Sequence, residues 1–179
     1  MKVKLDDEFA CSVSEYWDAL FLQDEYQRGL HIEGMGFSSY ECTRYLEEAE
    51  GVIVRDLAIG GVPGLPLLVQ KFVPGGRYVE RGRLVRSRNF WHFVIEPAAM
   101  ASRIRIEGRV QLTEVSPGRC RREGEIGVEV RVAGVGKRIA KSLLALVAVN
   151  ERKSADFTHR FIADWREGRG PSLGGDQPG

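Results

Sequence analysis

Cysteine is scarce in this 179-residue chain and scattered at Cys11, Cys42 and Cys120. There is no C-x-x-C pair and no histidine at metal-ligand spacing, which excludes zinc-ribbon and dithiol motifs. His31, His92 and His159 stand alone, without an H-E-x-x-H, a Ser/His/Asp order or a phosphate loop. Gly134-Val135-Gly136 is too short for a dinucleotide fingerprint. No cofactor and no metal is therefore expected. The longest apolar run, Leu143 to Val149, falls far short of the roughly 20 residues that span a bilayer. Met1 to Glu8 is polar and lacks the pattern of a signal peptide, so a cytoplasmic location is expected. Lysine occurs only at positions 2, 4, 71, 137, 141 and 153, which leaves arginine as the main cation, a bias expected of a GC-rich bacterial genome. A net charge of +1 excludes a global attraction to nucleic acid or to anionic membranes.

What is present is enough for one core: 43% hydrophobic and 28% charged residues. Residues 1–167 read as a single domain and 168–179, rich in Gly, Pro and Ser, as a disordered tail. Val3, Leu5 and Phe9 share one parity, a half-buried strand. Ser12-Val13-Ser14-Glu15 has the form of a capping box, and Val13, Trp17, Leu20 and Phe21 follow at helical spacing. Asp24 is placed to cap a second short helix, Glu25 to about His31. Strands are expected over 37–47, 52–59, 78–88 and 90–95. Leu67 to Phe72 fits a helical turn or a strand. Ile104, Ile106, Gly108, Val110 and Leu112 alternate with charged residues, as do Ile126, Val128, Val130 and Val132, so one sheet face is dry and the other wet. From Gly136 to Arg166 no glycine or proline interrupts the chain after its first residue. Ile139, Leu143, Leu146, Val147, Asn150, Phe157, Phe161 and Trp165 form one helical stripe.

This order predicts an α+β fold: a curved antiparallel sheet of about seven strands around a long C-terminal helix, with two short helices after the first strand. A sheet with one dry face needs a cover, and only the long helix has a stripe of sufficient size. A bent sheet and a straight helix meet well along one line and poorly elsewhere. The gap is filled by side chains or by a ligand.

The layout resembles the START-like, or helix-grip (SRPBCC-type), superfamily over residues 1 to about 167. Ser12 to Phe21 is similar to the first helix of that superfamily. Gly134-Val135-Gly136-Lys137-Arg138-Ile139, with Glu151-Arg152-Lys153 and Phe161-Ile162, is similar to an uncharacterised bacterial START-like family. Ala19 to Tyr26 is similar, more distantly, to the start of sterol-transfer domains. The resemblance implies binding, and with it transport, of a lipid- or sterol-like molecule between sheet and helix; the superfamily also includes enzymes.

Candidate lining residues are Trp17, Phe21, Tyr40, Leu57, Trp91, Phe93, Ile104, Ile106, Val128, Val130, Leu143, Leu146 and Asn150. Most apolar positions serve the core, so each is weighed against simple packing. Lys137, Arg138 and Lys141 oppose the helix dipole at its first turns and suit contact with a headgroup or other anion, against the alternative of a solvated basic surface. Gly60 to Pro66 is the expected gate. Asn150 brings an amide onto the apolar stripe, where a ligand hydroxyl could meet it. The expected partners are a hydrophobic small molecule and a transient membrane surface, without nucleic acid. Two other readings remain open: a cyclase- or dehydratase-like enzyme using an interior acid/base such as His92 or Tyr40, and an interaction module whose cavity is filled by its own aromatics.

Overall fold

The computed structural model describes residues 1–169; most of the expected tail lies outside them. Seven strands form one antiparallel sheet: β1 (Lys2–Phe9), β2 (Ser39–Glu48), β3 (Val52–Gly60), β4 (Tyr78–Val85), β5 (Phe90–Pro97), β6 (Ile104–Ser116) and β7 (Arg119–Val130). Their spatial order is β1-β7-β6-β5-β4-β3-β2, so every connection is to a neighbour except the long one from β1 to β2. That connection holds two short helices, α1 (Val13–Glu15) and α2 (Asp24–Gly29). A third, α3 (Leu67–Gln70), lies between β3 and β4, and α4 (Gly136–Arg166) closes the fold. This is the helix-grip arrangement expected from the element order.

Register fixes what faces inward. Leu84 lies opposite Ile53 and Trp91, and Gly82 opposite Arg55 and Phe93. Phe93 is in turn opposite Gly108, and Gly108 opposite Ile126. The two glycines of this row make room for rings. A Cβ on Gly82 would stand 1.8 Å from the Trp91 ring, and one on Gly108 would stand 2.1 Å from the Phe93 ring. The outer face is wet, with ion pairs such as Lys2–Glu125 at 2.5 Å and the two-pronged Arg121–Asp6 contact at 2.7 Å. Exposed pairs of this kind add little stability.

Helix α4 runs close to β7 and β1 and rests on α3 and on the turn after α2; it approaches β3–β5 less closely. Ile139, Leu143, Phe157 and Ile162 are its buried apolar anchors. Thr158 is wholly buried: its hydroxyl donates to Ser154 O at 2.7 Å and meets the Tyr26 hydroxyl at 2.7 Å, which ties α2 to α4.

Several local expectations change. The Ser12 capping box forms, with Glu15 N donating to Ser12 Oγ at 3.1 Å and Ser12 N to Glu15 Oε2 at 2.7 Å, but the helix continues as a π-turn over Tyr16–Phe21. Asp24 does not cap α2. The cap position is Gln23, and the Asp24 carboxylate instead accepts from the Tyr40 hydroxyl at 2.9 Å. The segment 67–72 resolves as the helical turn α3. Strand β4 stops at Val85, because Arg86–Arg88 forms a 3₁₀ turn ended by Asn89 in the left-handed region.

Because the Trp91 ring occupies the space over Gly82, Gly82→Ala should lower unfolding free energy by about 1–3 kcal/mol, as overpacking does. Gly127→Ala, whose Cβ would meet nothing closer than 3.8 Å, should change it by less than about 1 kcal/mol. Urea denaturation of both variants tests this; equal losses would contradict the ring-over-glycine packing.

Candidate functional site

The space between the concave face and α4 has three parts. Nearest the N-terminal half of α4 is an apolar cavity of about 80 Å³. Ile104, Ile106, Leu143, Leu146 and Asn150 line it, as the sequence suggested. Phe37, Val62, Leu65, Tyr78, Ile95 and Val147 join them and were not singled out: Val62 and Leu65 lie in a loop, which carries no periodic signal, and the periodicity that put Val147 on the α4 stripe does not say which stripe residues line a space. Outside lies a crevice of about 320 Å³ between Pro63, Gly64 and Pro66 and the Ser142–Lys153 side of α4. Leu146 and Asn150 belong to both spaces, so the loop with Val62 and Leu65 is the partition between them. The inner cavity is well below the ~300 Å³ at which small-molecule pockets begin. Displacing the loop would join it to the crevice.

The third part is filled. Phe21 stands edge-on to Trp17 at 5.1 Å and to Trp91 at 5.0 Å. The Arg55 guanidinium lies over both Phe21, at 4.3 Å, and Trp91, at 5.0 Å. These three predicted lining aromatics thus plug the end of the gap beside β3–β5. Leu57 is fully buried and Phe93 covers Gly108. Tyr40 faces inward but is bound to Asp24 and packs 5.2 Å from His31. Val128 and Val130 lie on the inner parity of β7, off the walls of the cavity. Lys137, Arg138 and Lys141 are exposed on the first turns of α4, within two turns of Leu143, and form no ion pair among the described residues. His92, expected as an interior acid/base, has the opposite parity to Trp91 and Phe93. It sits on the outer face, bonded to Glu107 at 2.7 Å.

The interior is not wholly apolar. Arg55 occupies the dry parity of β3 between Ile53 and Leu57, and Glu80 the dry parity of β4 between Tyr78 and Gly82. Such a break in an apolar alternation is the signal that could have found them. Arg55 is 97% buried, the complement of its 3% exposure. Its Nη1 donates to Phe21 O at 2.6 Å, while among the described residues its Nε has no partner and no carboxylate lies within ion-pair distance. Glu80 faces Leu57 and Ile95 across the strands and adjoins the cavity walls at Tyr78 and Ile95. Desolvation pushes its carboxyl up to about 7; Arg55 pulls it down and Glu151 on α4 pushes it further up. Glu151 itself is raised by burial, against the pull of Arg122, which it meets at 3.5 Å. Arg122 also binds Asp7 at 2.7 Å, so this second buried cation is fully compensated. Burial takes His31 down to about 4. The Asn150 Oδ1 is enclosed without a partner.

These shifts set opposite pH slopes. Glu80 binds its proton more tightly when folded, so its contribution is intact below about 4.5 and is lost as pH rises to about 7. His31 binds its proton less tightly when folded, so stability falls as pH drops from about 6.5 toward 4. The two oppose each other in the wild type over the shared range. Glu80→Gln should remove the Glu80 term and be more stable than wild type at pH 8 by as much as about 3 kcal/mol, with the difference vanishing near pH 4.5. Urea midpoints at pH 5 and 8 check this; a pH-independent difference would contradict it.

No helix among the described residues is long and apolar enough to cross a membrane. Solved structures of the same architecture include the Zhui aromatase/cyclase from Streptomyces sp. R1128, with TM-score 0.62 and 16% identity over 96% of this chain and 99% of that one. Norcoclaurine synthase from Thalictrum flavum matches with TM-score 0.58 and 14% identity over 92% of this chain and 87% of that one. A START superfamily protein from Mycobacterium smegmatis matches with TM-score 0.55 and 11% identity over 90% and 98%. At these identities the likeness establishes a shared fold. Among curated proteins nothing matches significantly. The family model described as "Protein of unknown function (DUF2505)" matches residues 4–162, and the chain therefore belongs to that family, with the helix-grip fold shared by those solved structures.

Proposed function

We propose that this protein binds a hydrophobic small molecule between the concave face of its sheet and α4, and carries it in exchange with a membrane surface. The observation that carries this reading is the apolar cavity separated from a surface crevice by the 61–66 loop, with Leu146 and Asn150 lining both spaces. Burial of the ligand against Ile104, Ile106, Leu143 and Leu146 supplies affinity at about 25 cal/mol per Å². At about 80 Å³ the cavity accommodates no lipid, so loading requires the 61–66 loop to lift. Near the crevice, Leu67 is 78% exposed and Val149 45% exposed. Val149, with Lys137, Arg138, Lys141 and Lys153, which form no ion pair among the described residues, gives α4 an apolar, basic flank suited to anionic headgroups, and Leu67 on α3 adds to its apolar part.

A second reading is an enzyme of the cyclase or dehydratase kind. Glu80 favours it, since a carboxyl titrating near neutrality inside a mostly apolar space is a competent proton donor. His92 cannot take that role from the outer face, and Tyr40 is already bound to Asp24.

The test is capture of the uncharged probe N-phenyl-1-naphthylamine from vesicles, read by native mass spectrometry after the vesicles are removed. Wild type should acquire one probe, and Leu146→Trp, which fills the shared wall, should reduce the loaded fraction at least tenfold. Reversing Lys137, Arg138 and Lys141 to Glu should slow capture from phosphatidylglycerol-containing vesicles and leave capture from neutral phosphatidylcholine unchanged. Failure of the wild type to load from either vesicle contradicts the reading.

A further inference from the structure

The two charged residues on the dry face are not explained by apolar binding alone. A buried charge is costly unless it is paired and hydrogen-bonded. Arg122 meets that requirement through Asp7 and Glu151. Arg55 does not: it has one bond to a carbonyl that Gln27 Nε2 already shares at 2.7 Å, two aromatic faces, and an Nε with no partner. The acid that acts on it most strongly is Glu80, diagonal to it across β3 and β4 and beyond ion-pair distance. The other titratable groups felt by the pair are Tyr40, Cys42 and Tyr45 on β2, Tyr78 on β4, Glu151 on α4 and His31 after α2. The one carboxyl among these, Glu151, is bound by Arg122. The Arg55 end of the interior therefore holds a cation short of an anion.

We infer that the ligand of the cavity carries a carboxylate, which is seated at the inner end beside Arg55 and Glu80 while its apolar part occupies the space lined by Ile104, Ile106, Leu143 and Leu146. This rests on the carrier reading and names its ligand class. Arg55 supplies the positive charge. Glu80, in its protonated form, supplies a hydrogen-bond donor to the same anion. Two ionised carboxylates around one guanidinium would repel, so seating the ligand draws a proton onto Glu80. Its tendency to stay protonated near pH 7 fits that role. An ammonium ligand would meet Arg55 and Arg122 as like charges, and a neutral alcohol would leave Arg55 as it is.

The probes are octanoate and 1-octanol, of equal chain length, titrated calorimetrically from pH 6 to 9 in pairs of buffers that differ in ionisation heat. Octanoate should bind at least tenfold more tightly than octanol at pH 6.5 and take up as much as one proton near pH 8. Its affinity should fall above pH 7 by as much as about tenfold per pH unit. Octanol binding should be flat with pH. Glu80→Gln should retain octanoate with neither proton uptake nor pH dependence. Because Gln is close in size to Glu and removes a charge, its thermal unfolding should confirm a folded protein. Equal binding of both probes without proton uptake, or an unchanged pH profile in Glu80→Gln, overturns the carboxylate inference and leaves the carrier reading standing. Binding of neither probe by wild type sinks both.

Discussion

A twisted antiparallel sheet must curl to bury its dry face, and a straight helix can follow such a surface only along one line. Here that line runs beside β7 and β1. Everything distinctive about the interior follows from what happens on the other side. Gly82 and Gly108 let the Trp91 and Phe93 rings lie on the concave face. Phe21 and Trp17 extend that layer from the π-turn after α1. What the rings leave unfilled, beside the N-terminal half of α4, is closed by Val62 and Leu65 from a loop rather than by a strand or helix. The fold thus divides its interior into a rigid packed end and an end whose cover can move.

The polar residues respect the same division. Thr158 and Tyr26 satisfy each other where α2 meets α4, and Arg122, Asp7 and Glu151 satisfy one another under β1. Those networks are complete and belong to the packed part. Arg55 and Asn150 each keep an enclosed polar atom without a partner among the described residues: Asn150 on the cavity wall, Arg55 behind it among the aromatics, with Glu80 diagonal to it. Buried polar groups left short of partners concentrate at functional sites, where a ligand completes them. The relatives of this fold include an aromatase/cyclase, norcoclaurine synthase and a START superfamily protein, so the scaffold alone does not choose between carriage and catalysis.

The architecture was legible because its signals are periodic. The alternation from Ile104 to Leu112 and from Ile126 to Val132 became the paired β6 and β7, and the unbroken stripe from Ile139 to Trp165 became α4. Ser12 and Glu15 formed the capping box their spacing predicted. The site was half legible. Ile104, Ile106, Leu143, Leu146 and Asn150 reached the cavity because periodicity places them on the facing surfaces of β6 and α4. Trp17, Phe21 and Trp91 went to the plug instead, since size and aromaticity do not say whether a ring lines a space or fills it. His92 was misplaced by ignoring its own strand: two neighbours at its opposite parity, Trp91 and Phe93, already mark it as outward. Arg55 and Glu80 each break the apolar alternation of their own strands, but that they stand diagonal to each other needed the register between β3 and β4, which no single-strand pattern supplies.

The central claim is that the space between β6 and α4 opens to admit an apolar molecule. Methyl NMR spectra of the protein with and without a saturating apolar ligand test it most directly. The methyls of Val62, Leu65, Ile104, Ile106, Leu143 and Leu146 should shift together on binding, with those of Leu84 unmoved. Shifts spread evenly over the core, or confined to the outer surface, would show that the gap between sheet and helix is only packing and holds no ligand.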